Sequence, residues 1–171
     1  MATVMATEQY ISTAAQCAAL LHREARLLDQ RDWDAWLALY AQDAEFWIPM
    51  WDSEYDLTTD PLSQLSLMYY PDRGGLEDRV FRLRTGGSSA STPLPRTCHL
   101  ITNIEVTDTA QGAQVFANWQ VASYRHKTTH SFYGYYDYQL ACDAKGDWCI
   151  KRKKITVIND LIPDILDFYS V

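Results

Sequence analysis

Histidines, cysteines and carboxylates stand close together in a few short stretches of this chain. In PRTCHLITNIEV, residues 95–106, His99 follows Cys98 at the head of an apolar, strand-like run. HKTTH holds His126 and His130, RDWDAW holds Asp32 and Asp34, and His22 stands apart from these. A buried Asp beside one or two His can move protons, because burial shifts both toward neutrality. Asp32 or Asp34 together with His99, with or without His130, would supply such a group. The competing reading makes both aspartates helix-start residues and His99 a hydrogen-bonded core side chain.

Other chemistries fit the spacing less well. A Rieske centre needs two Cys and two His in close Cys–His pairs. Here Cys98–His99 is the one such pair, and Cys17, Cys142 and Cys149 have no adjacent His. HKTTH lacks the Glu of HExxH and falls in strand-like or turn-like sequence. No GxSxG, phosphate loop or GxGxxG is present, and GGSS lacks the strand-before, helix-after setting of a phosphate loop.

The elements that must position these residues follow from periodicity. From Tyr10 to Leu28 apolar residues recur at helical spacing, with His22, Arg23, Glu24 and Arg26 mostly on the other side. Asp32 is placed to cap a short second helix, WDAWLALYA, whose buried stripe would be Trp33, Trp36, Leu37 and Tyr40. AEFWIPM reads as a first strand, WDSEYDLTTDPLSQ as a loop, and LSLMYY as a helical turn. LEDRVFRLRT is expected as a third helix with Leu76, Val80 and Leu83 on one face; GGSSASTPLP is expected as a loop. From Arg96 onward the period changes to two. Four long antiparallel strands in meander order are predicted, with turns at AQG and DAKGD. This is an α+β arrangement, with helices packed on one face of a curled sheet.

The run KRKK, Lys151–Lys154, sits on the last strand, where alternation would turn two of its cations inward. Three readings remain open: the sheet is splayed there, a partner chain supplies acids, or the run is a solvated strand end. Aromatics on both faces of the sheet (Tyr133, Tyr135, Tyr136, Tyr138) suggest a second covered face and hence a subunit interface.

The 171 residues suit one domain, 1–171, with about residues 1–9 as a flexible lead-in. The formal net charge of −7 argues against a nucleic-acid partner. The N-terminal stretch has no basic n-region or long apolar h-region, and no apolar run approaches the roughly 18 residues of a membrane span. A cytoplasmic protein with reduced thiols is expected.

The segments RDWDAWLALYAQDAEFWIPMWDSEYD, YYPDRGGLEDRVFRLRTGGSSASTPLPRTCHLITNIEV and ILDFYSV resemble the small (β) subunits of aromatic-ring-hydroxylating dioxygenases. The resemblance runs from about Tyr10 to the C-terminus and is most specific over residues 78–106. IPMWDSE and LEDRVFRLRTG look closest to the benzoate and anthranilate (2-aminobenzoate) group, halobenzoate enzymes included. The resemblance implies a cone-shaped fold of the nuclear-transport-factor-2-like (NTF2-like), cystatin-like type. It implies a noncatalytic subunit of an α3β3 hexamer whose large (α) subunit carries the Rieske [2Fe-2S] cluster and the mononuclear Fe(II). A reductase would supply electrons from NADH. No catalytic, metal or cofactor residue carries over to this chain. The subunit-contact candidates are Arg79, Arg82, Arg84 and Arg96, with His99, Phe168 and Tyr169. Anthranilate, benzoate, a halobenzoate and salicylate all stay open as substrates. The same fold houses proton-transfer enzymes such as scytalone dehydratase and ketosteroid isomerase. RDWDAW resembles the acid-bearing helix start of the dehydratase, whereas LEDRVFRLRTGGSSASTPLPR departs from it.

Overall fold

The first helix, α1 (Ala2–Gln30), buries a stripe of Cys17, Leu20, Leu21, Glu24, Leu27 and Leu28. These recur every three or four residues, so they share one face. The helix stops because Arg31 turns to a positive φ of 60°. The Arg31 and Asp32 amides then bond back to the carbonyls of Leu28 and Leu27, which satisfies two of the orphan acceptors at the helix end. Glycine usually fills that position. Here the Arg31 guanidinium reaches the carbonyl of Pro95 at 2.9 Å and ties the turn to the start of the sheet.

The computed structural model describes residues 2–87, 91–142, 146–159, 161–163 and 165–171, with the side chains of residues 2–12 excluded. Parts of the expected flexible lead-in, of the GGSSASTPLP loop and of the DAKGD turn lie outside the described residues.

Helix α2 (Trp33–Leu37) begins as read: the Asp32 carboxylate accepts from the Ala35 amide, and Trp33 and Trp36 are buried. It is shorter than its sequence suggests, because Tyr40 already pairs with Ile150 in the sheet. Strand β1 runs from Tyr40–Pro49. The next element corrects an expectation. Ser66–Tyr70 is not a helical turn but strand β2, paired antiparallel to β1 with Phe46 opposite Tyr70 and Ile48 opposite Met68. A free edge on β1 and two adjacent tyrosines favour pairing over a helical turn. Helix α3 (Gly74–Arg84) buries Leu76 and Val80, with Leu83 half-buried.

The meander appears as expected in β3 (Arg96–Thr109), β4 (Gly112–Arg125), β5 (Thr128–Cys142) and β6 (Trp148–Val157). The sheet order is β2-β1-β6-β5-β4-β3; β1 pairs parallel to β6 and every other pair is antiparallel. Val115, Ala117, Trp119 and Val121 of β4 face the core together with Phe132, Tyr136, Tyr138 and Leu140 of β5. Gly134 lies where β5 and β6 press together: a Cβ there would stand 1.9 Å from the Thr156 carbonyl oxygen.

Strand β6 departs from simple alternation. Leu140 pairs with Ile150 but Gln139 pairs with Arg152, so Lys151 is an extra residue in the strand. The bulge resets the parity. Ile150 and Lys153 both point inward, followed by Ile155 and Val157. One cation of KRKK therefore enters the core rather than two. Among the described residues no helix is long and apolar enough to cross a membrane.

Candidate subunit-contact surface and the polar core behind it

The inward-facing Lys153 defines the chemistry of the cone. Its ammonium lies 2.9 Å from a Glu24 carboxylate oxygen, and both side chains are 1% exposed. The other Glu24 oxygen accepts from Tyr138 Oη at 2.6 Å, and Tyr40 Oη donates to the first. Lys153 Nζ also sits 4.3 Å from the centroid of the Tyr136 ring. Burial alone would push the Glu24 carboxyl upward. The Lys153 ammonium and the Tyr138, Tyr40 and Lys153 hydrogen bonds outweigh that and hold it below its ordinary value. Burial, then the Glu24 charge, pushes the Tyr40 and Tyr138 phenols well above their ordinary 10.0, so both stay protonated as donors. The groups satisfy one another, and the four residues are closed to solvent.

A second polar pair ties α1 to β3. His99 Nδ1 donates to Asp29 at 2.6 Å, and the Asp29 carboxylate also accepts from the His99 amide and from Thr97 Oγ1. Burial opposes this charge, but the hydrogen bonds from His99 and Thr97 prevail and keep the Asp29 carboxyl below its ordinary 3.8. His99 is thus a structural clamp and is not turned toward a subunit contact. Asp32 and Asp34 do not join it. Asp32 caps α2, and Asp34 lies at the surface 2.8 Å from Arg84. The proton-transfer grouping of Asp32 or Asp34 with His99 is not formed.

Periodicity could have exposed one of the two missed residues of this pair, Glu24. Glu24 falls in the apolar stripe between Leu20, Leu21, Leu27 and Leu28, where a carboxylate requires a partner. Lys153 could not be assigned in the same way, because the bulge that turns it inward has no sequence signature.

Among the described residues the donors do not fit an iron–sulfur cluster or an iron site. Cys98 is exposed whereas the His99 side chain is buried, so neighbours on one strand point to opposite sides. His126 sits in the β4–β5 turn with a positive φ of 49°, not on a strand face with His130. Among the described residues no group of three or more His, Cys, Asp or Glu could hold a metal ion.

The proposed contact residues divide sharply. Phe168 and Tyr169 are buried in this chain's own core, which corrects their placement at a partner surface. Phe168 stacks on Trp36 at 4.6 Å, and Tyr169 Oη is 2.8 Å from Ser91 Oγ. Arg79 pairs with the fully buried Asp167 carboxylate and so fastens this C-terminal turn. Arg96 lies over the Tyr124 ring at 4.7 Å. Arg82 stays exposed on α3 next to Phe81, which is 65% exposed. Of the three readings of KRKK, acids from a partner are not required for three of its cations: Lys151 binds Asp43, Arg152 binds Glu45 and Lys153 binds Glu24, while Lys154 lies over the Trp47 ring.

The outer face of β3–β5 is left uncovered by the helices. Leu100, Phe116, Tyr133 and Tyr135 are all more than two-fifths exposed, and Phe116 stacks on Tyr135 at 5.7 Å. A cleft of about 530 Å³ between Leu100 and Tyr133 meets a second of about 760 Å³ at Ile158; the second is walled by Trp51, Asp52 and Glu54.

Residues 23–164 match the family described as ring hydroxylating beta subunit. The chain belongs to that family. It is 46% identical over 154 residues to the 2-halobenzoate 1,2-dioxygenase small subunit of Burkholderia cepacia, covering 90% of this chain and 93% of that one. It is 41% identical over 152 residues to the anthranilate 1,2-dioxygenase small subunit of Acinetobacter baylyi, covering 88% and 93%. Among solved structures it resembles the β subunit of the benzoate 1,2-dioxygenase of Burkholderia mallei. That match has a TM-score of 0.76 at 40% identity and covers 92% of this chain and 96% of that one. An NTF2-like protein with a cystatin-like fold from Novosphingobium aromaticivorans shares the fold at a TM-score of 0.65 and 14% identity, covering 98% and 97%. The β-subunit family and the α+β cone read from the sequence are thereby both established.

Proposed function

We propose that this chain, as one domain, is the noncatalytic small subunit of a ring-hydroxylating dioxygenase acting on an aromatic carboxylate. The observation that carries the reading is the match along nine-tenths of the chain to the small subunit of a 2-halobenzoate dioxygenase. The interior agrees with it: Glu24, Lys153, Tyr40 and Tyr138 spend their polar groups on one another and are closed to solvent. The partners are a large subunit in an α3β3 hexamer and a reductase that draws electrons from NADH. The Rieske cluster and mononuclear iron belong to the large subunit, where they supply electron transfer and oxygen activation. The assembly is cytoplasmic. The work of this chain is to hold large subunits at a fixed spacing.

Co-expression with the large subunit of an aromatic-carboxylate dioxygenase tests this. The expected result is a 3:3 complex by native mass spectrometry that consumes an aromatic carboxylate, dioxygen and NADH once reductase is added. The chain purified alone should be colourless and inert. Turnover by the isolated chain, or failure to bind the large subunit, would sink the reading.

A further inference from the structure

The two clefts that meet at Ile158 form one concave strip with unlike ends. Toward β3–β5 its floor is apolar and aromatic, with Leu100, Tyr133 and Tyr135 exposed. Toward the loop after β1 its wall is acidic. Residues 51–65 hold Asp52, Glu54, Asp56 and Asp60 and neither Lys nor Arg. That acidic wall is set in place before any partner arrives. The Trp51 indole donates to the Val157 carbonyl at 2.8 Å, Trp51 bridges to Leu57, and Ser53 Oγ bonds Asp56 at 2.9 Å. Little ordering remains to be paid on association.

The complement of such a strip is an exposed aromatic beside a cation, and this chain carries one. Phe81 is 65% exposed near the end of α3, and Arg82 next to it is exposed as well. α3 packs beside α2 and β2 with Leu76 and Val80 in the core, whereas the strip runs along the outer side of β3–β5, past the β6 end to Leu67 of β2. Knob and strip are therefore different surfaces of one chain. Contact between such surfaces is head-to-tail, and head-to-tail contacts close into rings when the rotation permits.

We propose that the strip is a contact between copies of this chain. The neighbour's Phe81 sits over the aromatic floor, and its Arg82 meets the Asp52–Glu54 wall. This rests on the reading that small subunits touch one another in the hexamer, and it assigns the surfaces by which they do. Charge complementarity within the single chain is what selects a second copy over another occupant.

The test uses the full chain in analytical ultracentrifugation, with circular dichroism as the fold control. Wild type is expected to form a trimer. Arg82→Glu and Glu54→Lys, both at exposed positions, should each weaken it by about tenfold or more. The combined variant should recover most of that loss, because it re-forms the pair with reversed sign. Phe81→Ser should weaken the trimer in a salt-insensitive way. If the trimer ignores all three changes, or the combined variant is as weak as the singles, the assignment is wrong while the hexamer stands. If the chain alone is monomeric and Phe81 and Tyr135 become protected from exchange or labelling only on adding the large subunit, the strip belongs to that subunit instead. Absence of any complex with the large subunit would overturn the hexamer reading itself.

Discussion

Lys153 and Glu24 show how much a single buried pair can decide. Replacing Lys153 with Met leaves Glu24 as an unpaired carboxylate among tyrosines, and loss of one partner of a buried pair costs about 3–5 kcal/mol. Urea unfolding should show that loss, and Glu24→Gln combined with Lys153→Met should restore much of it. The pair also sets an acid limit. A carboxylate whose folded value is depressed contributes stability that is complete above its ordinary 4.5 and is lost as pH falls through the folded value. Wild type should therefore lose unfolding free energy steeply below about pH 4.5, and the double variant should lose it less steeply. The thiols separate just as clearly. Burial above all, then the charges of Asp108 and Cys142, pushes the Cys17 thiol up to about 11. In the isolated chain a thiol reagent at pH 8 should modify the exposed Cys98 and Cys142 quickly and reach Cys17 only on unfolding. At this scale the sequence was legible where local rules act and silent where distant strands meet. Asp32 read correctly as a cap because its partner, Ala35, is three residues away. The acid that actually engages His99 is Asp29, seventy residues distant across a fold that had first to be known.

The elements owe their ends to such contacts. Arg31 accepts a left-handed backbone because its guanidinium holds Pro95, so Arg31→Ala should lose both the tie and the compensation for strain. A cost of about 1–2 kcal/mol is expected, with Arg31→Gly milder because glycine removes the strain. Gly134→Ala should do more damage than its size suggests. The added methyl group meets the Thr156 backbone, not a side chain that can swing aside, so β6 must leave β5. Lowered hydrogen-exchange protection along β6 would report that. The long meander was plain from alternation, since β4 and β5 each repeat buried and exposed positions over a dozen residues. β2 was not, because five residues with a half-buried pattern look alike in a turn and in an edge strand. The arginine cluster of α3 looked like one surface but splits by partner: Arg79 reaches Asp167, Arg84 reaches Asp34, and Arg82 faces outward.

As a whole molecule the chain is a cone whose interior is occupied by its own side chains. A ring substrate has no berth among Glu24, Lys153, Tyr136 and Tyr138, which are all at most 1% exposed. In hybrids that pair this subunit with large subunits of other aromatic-carboxylate dioxygenases, substrate range should follow the large subunit. Product analysis on two or three benzoates would check it. A shift in preference that tracks the small subunit would contradict that expectation. The sheet carries one more consequence, in the order of its strands. β1 and β6 lie side by side, yet the ribosome makes one early and the other last. Lys153 emerges 129 residues after Glu24. At about 5–20 residues per second that is a delay on the order of ten seconds. Once β1 is made and until β6 follows, the nascent chain holds an unfinished sheet with a bare β1 edge and a carboxylate awaiting its counter-ion. Transiently unpaired edges aggregate, so added chaperone during synthesis is expected to raise the soluble yield of this chain.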